Sequence, residues 1–338
     1  MVARGLIALA ALLSAGCGDV DQVFGPPSEA IPLPPPAGEA NFPSAHSAFE
    51  PAMQWSPDGR TIYYLSFLTG SVGVRAFDLQ TAQTRVLVTA EATSFQVLRI
   101  TNDGSTLFYS MQPHGSQLGH GIYRLATGGG EPVQLVTGAD HRFGISPDGR
   151  MLAWNRYGTD SLFMRDLSLG ATQFIGGHGG GVSVSADYTQ VVHGWAGALG
   201  ATDLITGSTT HIQRGVLHHH DMRWGDQGLE VLNAGYGRME IVRGNGAGAV
   251  LWGSPEGMVG SVGSVAWSRD GTRIAIADGS CLFGIIGCSS ALWLIDLRTG
   301  SRTELASAPG FLSRPLFSAD GEKLALTAGG RLHVLTLP

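Results

Sequence analysis

The chain has 338 residues, of which 50 are Gly and 16 Pro; charged residues make up only 14% and apolar ones 43%. That is enough apolar surface for a sizeable core in one large or two ordinary domains, with too few charged helix formers for long surface helices. A net charge of −6 argues against a general nucleic-acid binder, which would need a basic face, so no nucleic-acid partner is expected.

Residues 1–16 read MVARGLIALAALLSAG, with Arg4 as a positive start and a short apolar run over Leu6–Leu13. A membrane-spanning helix needs ~20 apolar residues, so this run fits a secretory signal instead. Ser14, Ala15 and Gly16 lead into Cys17, which resembles the lipobox of bacterial lipoproteins, with Ser14 where that family prefers Leu. The resemblance implies that Cys17 is lipidated and becomes the first mature residue. It also implies an exported protein of the bacterial cell envelope, membrane-bound through its N-terminus. Gly18, in place of an Asp, favours the outer membrane, facing the periplasm. An ordinary signal peptide beside an unrelated Cys is the alternative. Residues 17–45 form a tether in which Pro26, Pro27, Pro32, Pro34, Pro35, Pro36 and Pro43 favour an extended chain. At ~3.1 Å per residue it reaches up to about 80 Å.

From residue 48 to 338 the chain repeats. The copies are WSPDG (55–59), ITNDG (100–104), ISPDG (145–149), VSADY (184–188), WGDQG (224–228), WSRDG (267–271) and FSADG (317–321). The fourth position of each defines a register at 58, 103, 148, 187, 227, 270 and 320. The spacing averages about 44 residues, the period of β-propeller blades. Pro presets the turn, Asp bonds its own backbone, and Gly takes the left-handed slot. Apolar residues three and five before the register, such as Trp55 and Met53 or Trp267 and Val265, alternate as in a strand. Further apolar runs follow each turn, and a third strand often ends in Asp-Leu, as at Asp78-Leu79, Asp166-Leu167, Asp203-Leu204 and Asp296-Leu297. The expected fold is all-β: a seven-bladed β-propeller of four-stranded blades behind the signal peptide and tether. The last repeat supplies only three strands, and residues 38–47 are the candidate for the fourth, closing the ring and removing its open edge.

The SPDG-type turns and Asp-Leu-x-Thr-Gly ends resemble the WD40-like PD40 repeats of TolB-type propellers, over about residues 48–338. The Gly-His and Trp-Asp pair of proper WD40 repeats is absent. The resemblance implies architecture, and an envelope role only by analogy. Cys281 and Cys288, close together in an exported chain, are expected to form a disulfide. Closing that eight-residue loop is worth roughly 2–3 kcal/mol.

No GxSxG, HExxH, EF-hand or Walker A sequence occurs, and GGHGGG (176–181) and GNGAGA (244–249) read as turns between strands. Polar residues do recur at the start of the innermost strand. His141 and His220 lie seven before the register, and His178 and His218 nine before it. Arg142, Arg314 and Asp221 lie six before it, and Arg99 and Arg223 four before it. Equivalent positions of successive blades converge at one mouth of the central channel. Three readings stand: a hydrated channel whose polar groups satisfy one another; a ligand site, with His141, His178, His218 and His220 as metal ligands; or an active site. HHHDMRW faintly resembles oligogalacturonate lyases, seven-bladed propellers with a His-based metal site, and His46 and Glu50 could join such a site.

Two functions follow. The first is a monomeric, non-catalytic envelope module that binds a protein or glycan partner and needs no cofactor. The second is a divalent-metal-dependent lyase or hydrolase acting on an anionic saccharide.

Overall fold

The computed structural model describes residues 38–39, 53–68, 71–113, 119–159, 161–177, 182–184, 190–195, 198–204, 206–214, 219–225, 228–235, 238–243, 248–253, 261–282, 286–309 and 312–338. Every regular element among them is a strand. In chain order, β1 is Gly38–Glu39. A first unit follows, of β2 (Met53–Trp55), β3 (Thr61–Leu68), β4 (Ser71–Asp78) and β5 (Gln83–Ala90). Next come β6 (Ala92–Ile100), β7 (Thr106–Pro113), β8 (His120–Ala126), β9 (Val133–Ile145), β10 (Met151–Arg156), β11 (Ser161–Asp166) and β12 (Thr172–Gly177). The fourth unit holds β13 (Val182–Val184), β14 (Gln190–Trp195), β15 (Ala198–Asp203) and β16 (Thr209–Arg214). The fifth holds β17 (His219–Gly225), β18 (Gly228–Gly235), β19 (Arg238–Arg243) and β20 (Gly248–Gly253). The sixth holds β21 (Ser261–Trp267), β22 (Arg273–Leu282), β23 (Ile286–Asp296) and β24 (Arg302–Pro309). The last holds β25 (Leu316–Phe317), β26 (Lys323–Ala328) and β27 (Arg331–Thr336).

Within each unit the strands pair antiparallel in sequence order. The seven strands β6–β12 make one continuous sheet because β9 serves twice. Its first part, Val133–Val136, pairs with β8 as the outer strand of the second unit. Its second part, Phe143–Ile145, pairs with β10 as the inner strand of the third. In the last unit the outer position is taken by β1: Gly38 faces Leu332 and Glu39 faces Arg331. Residues 40–47 lie outside the described residues.

The apolar core is a series of wedges between units, not a central mass. Tyr63, Leu65 and Leu87 of the first unit pack on Leu98, Tyr109 and Leu125 of the second. Ile122 and Val136 of the second pack on Phe143, Leu152 and Trp154 of the third. Ile62, Tyr64 and Phe77 of the first pack on Ala325 and Leu332 of the last. Strands covered on both faces this way have little room for charge, which accounts for the low charged fraction.

A bulge recurs in the pairing of the third and outer strands, always four residues before the third strand ends. It falls between Val74 and Arg75, Ile122 and Tyr123, Leu162 and Phe163, Leu199 and Gly200, Met239 and Glu240, and Leu292 and Trp293. Such bulges add local twist and bend the outer strand.

Candidate functional site

The inner strands and the turns that hold them define the candidate site. Five of the turns are locked by a hydroxyl two residues before the register Asp. Ser56 Oγ donates to Asp58 Oδ1 at 2.6 Å; the same carboxylate accepts the N–H of Arg60, and Ser56 Oγ accepts the N–H of Thr61. The same triangle recurs with Ser146 and Asp148, Ser268 and Asp270, and Ser318 and Asp320, with Thr101 replacing Ser at Asp103. The hydroxyl bond is the main reason the carboxyls of Asp58, Asp103 and Asp320 titrate below the usual range, and the Ser268 hydroxyl brings Asp270 down to about 2.

A second set of Asp residues caps the turns between third and outer strands. Asp78 accepts the N–H groups of Gln80 and Thr81, and Asp296 those of Arg298 and Thr299. Asp166 is held far down by Arg150, which reaches it at 2.8 Å, and by Ser168. Because strand direction alternates, both sets of turns lie on one face of the molecule. The inner strands therefore begin on the opposite face.

The inner strands are joined through the side chains of β2. Trp55 Nε1 donates to the carbonyl of Leu316 in the last unit at 2.9 Å. Gln54 Nε2 donates to the carbonyl of Leu98 in the second at 3.0 Å. Farther out, Arg85 spans the first and second units to the carbonyls of Thr127 and Gly128, and Arg273 bonds Gly321 across the sixth and last.

Among the expected channel-mouth residues, Arg99, Arg142 and Arg314 are partly buried, and Arg99 donates to the carbonyl of Leu98. His141 lies on β9, and His220, Asp221 and Arg223 lie on β17. In the second, third, fifth and sixth units the position seven before the register is a bulge. Asp140–Arg142 together oppose the single residue Asn155. On β17, His219 faces Asn233 and Asp221 faces Leu232, so His220 is the extra residue. In β21 the extra residue is Gly263, and in β6 it falls at Gln96–Val97, where the Val97 N–H turns to Ser110 Oγ. Bulges at such places re-aim side chains. His178, His218, His46, Glu50 and Cys17 lie outside the described residues. Cys281 and Cys288 lie on the paired strands β22 and β23. Among the described residues no three His, Cys, Asp or Glu side chains gather as a metal-binding group.

Sequence reasoning missed the turn hydroxyls, although Ser or Thr recurs two places before the Asp in six copies. It also missed a polar chain in the fourth unit that runs from the buried His193 to the surface, in which His193 Nε2 meets Thr202 Oγ1 at 2.9 Å and Thr202 meets Thr209 at 2.9 Å. The outer surface carries exposed apolar side chains that composition alone did not place: Val86, Val133, Tyr157, Leu169 and Phe174.

No family model and no curated protein matches the chain. Solved structures do. An oligogalacturonate lyase from Vibrio parahaemolyticus superposes with a TM-score of 0.65 at 13% identity, covering 92% of each chain. The Cps50 (Swd1) β-propeller domain of Myceliophteria thermophila gives 0.63 at 15% identity, over 88% of this chain and 98% of that one. A chain of a mitotic checkpoint complex gives 0.63 at 12% identity, over 92% and 94%. The chain is a β-propeller. Its units are blades, and His141 and His220 sit on bulged backbone of two of their inner strands. At such low identity the likeness carries the fold and nothing of the neighbours' activities.

Proposed function

We propose that this propeller is a non-catalytic binding module of a bacterial cell envelope, held to the membrane through a lipidated Cys17 and presenting its blades to a partner protein. With β9 counted in both of its units, the described strands fill seven four-stranded blades, and we take the ring to be seven-bladed. The TolB-like, PD40-type reading of the repeats belongs to the same proposal, as does a disulfide between Cys281 and Cys288. The observation that carries the binding role is the rim. Blades clasped to one another by Trp55, Gln54, Arg85 and Arg273 form a stiff platform, and exposed Phe174 and Val133 stand on its outer strands with Leu169 in the turn before one of them. Contacts of that kind anchor protein interfaces. The test is a pull-down from membranes with the lipidated chain, beside Cys17→Ala. Recovery of a partner with the wild type, and release of the variant from the membrane fraction, are the expected results. A variant that stays in the membrane fraction refutes the anchor, and recovery of no partner refutes the module.

A second reading is a metal-dependent enzyme acting on an anionic saccharide at the channel mouth. It is favoured by the bulges that carry His141 and His220. Elemental analysis of the purified chain and of His220→Ala decides it. A stoichiometric divalent metal that is lost in the variant supports an enzyme, and its absence from the wild type removes this reading.

A further inference from the structure

The outer strands differ in charge, and two uncharged ones stand in adjacent blades. In each blade the outer strand is a sheet edge with one row of N–H and C=O groups unpaired within the sheet. Proteins guard such edges with charge. β5 carries Arg85, which is tied to the next blade, and β24 carries Arg302 and Glu304. The second, third and fifth blades do not follow this rule, and β20 of the fifth carries no charged residue. Residues 132–139, which include the outer part of β9, contain no charge, and neither do residues 168–177, which include β12. Thr172, Gln173 and Phe174 at the start of β12 are all exposed.

The uncharged outer strands of the second and third blades share one groove. Arg124 and Val133 are directly opposed in their ladder, as are Phe163 and Phe174 in theirs, and directly opposed side chains share a face. Phe163 and Leu135 both pack on the wedge between the second and third blades, so these faces look toward each other. Arg165 crosses between them and donates to the carbonyl of Leu135 at 2.8 Å. Phe174 continues an aromatic row: Trp154 stacks on Phe163 at 5.8 Å, and Phe163 meets the edge of Phe174 at 5.6 Å. The row ends in solvent, with Phe174 59% exposed, Val133 46% exposed and Leu169, in the turn before β12, 75% exposed. Arg124 is exposed beside Val133.

The geometry points to this rim as a strand-capture site: an extended segment of a partner protein adds to the free edge of β12. Its apolar side chains, at alternate positions, settle against Phe174 and Val133, and a carboxylate meets Arg124. Backbone hydrogen bonds along the edge supply affinity, while the apolar contacts and Arg124 supply selection. A peptide fits better than a glycan because the groove offers an unpaired backbone ladder beside apolar walls. This assignment rests on the binding-module reading and names where and what that module binds.

The test pans a random twelve-residue peptide library against the immobilised full chain and measures one selected peptide, fluorescein-labelled, by anisotropy. The expected peptide alternates apolar residues and carries an acidic one. Its binding should weaken about tenfold or more with Phe174→Ser, and about threefold with Arg124→Gln in low salt but not in high salt. Both substitutions are at exposed positions, so an unchanged thermal unfolding midpoint will show that the variants are folded. Amides of Thr172–Gly177 should gain protection from hydrogen exchange when the peptide binds. Methylating one alternate set of its backbone nitrogens should abolish binding, while methylating the other set should not. Selected peptides that bind Phe174→Ser as tightly as the wild type overturn the rim site and leave the module reading standing. A library that yields no binder overturns strand capture, and the membrane pull-down then judges the module separately. Protection of β12 by a neutral oligosaccharide pool and by no peptide would make the rim a glycan site instead.

Discussion

The indole N–H of Trp55 donates to the carbonyl oxygen of Leu316 at 2.9 Å, joining inner strands that are 261 positions apart in sequence. This is where the first blade meets the last, and the wedge below it contains Ile62, Phe77, Ala325 and Leu332. Trp55→Phe keeps most of the ring's burial and deletes the donor. The expected loss is about 1 kcal/mol. In a chain of this size that lowers the thermal unfolding midpoint by about 1–3 °C. Trp55→Ala, which also empties the wedge, should lose about 3–5 kcal/mol. A phenylalanine variant as stable as the wild type would show that the bond contributes nothing to ring closure.

The turn triangle gives a pH signature. Bonding from Ser268 brings the Asp270 carboxyl down to about 2 from an ordinary 3.8. A depressed carboxylate stabilises the fold fully above the ordinary value, and the stabilisation is lost as pH falls toward 2. Ser268→Ala should therefore cost about 1 kcal/mol at pH 7. The gap between variant and wild type should narrow between about pH 4 and 2, where the wild type loses the advantage. Urea titrations at pH 7, 4 and 2.5 measure it. A gap that does not change with pH would contradict the assignment.

The period of about 44 residues carried the architecture, because each copy of the turn motif needs Pro, Asp or Gly for a local backbone reason visible in one segment. The bulges were not legible. They depend on how two strands count against each other, and neither strand records the count alone. His141 and His220 could be put at a common register from their spacing, but the fact that this register is an unpaired backbone position came only from the ladders with β10 and β18. Phe174 was hidden for a related reason. It sits directly opposite Phe163 and belongs to the same aromatic row as Trp154, which is buried. Only its place on the outermost strand leaves it in solvent.

Two glycines separate backbone strain from crowding. Gly149 and Gly170 both have left-handed backbones, with φ of +76° and +74°. A Cβ at Gly170 meets nothing within 4 Å, whereas one at Gly149 falls 2.6 Å from Thr101 Cγ2 in the neighbouring blade. Gly170→Ala should cost only the left-handed penalty, about 1–2 kcal/mol. Gly149→Ala should cost clearly more, and Thr101→Ser, which removes that methyl, should recover part of the excess. Equal losses for the two alanine variants, measured by chemical unfolding, would mean that the blade-to-blade contact at Thr101 yields freely.

The ladder of β22 and β23 bears on the cysteines. Ser280 faces Ser289, in line with the pairing that runs from Arg273 opposite Asp296. Cys281 falls at the register shift that follows, where it alone opposes Gly287 and Cys288 before Leu282 faces Ile286. Opposed positions on antiparallel strands have Cα separations of about 4.5–5.5 Å, inside the range a disulfide spans. Peptide mapping without reductant should recover the two segments as one linked fragment from protein exported to an oxidising compartment. Cys281→Ser with Cys288→Ser should lower stability by roughly 2–3 kcal/mol, and reductant should then no longer affect the unfolding midpoint. Free thiols at both positions in the exported protein would remove the bridge and leave the pair as ordinary strand residues.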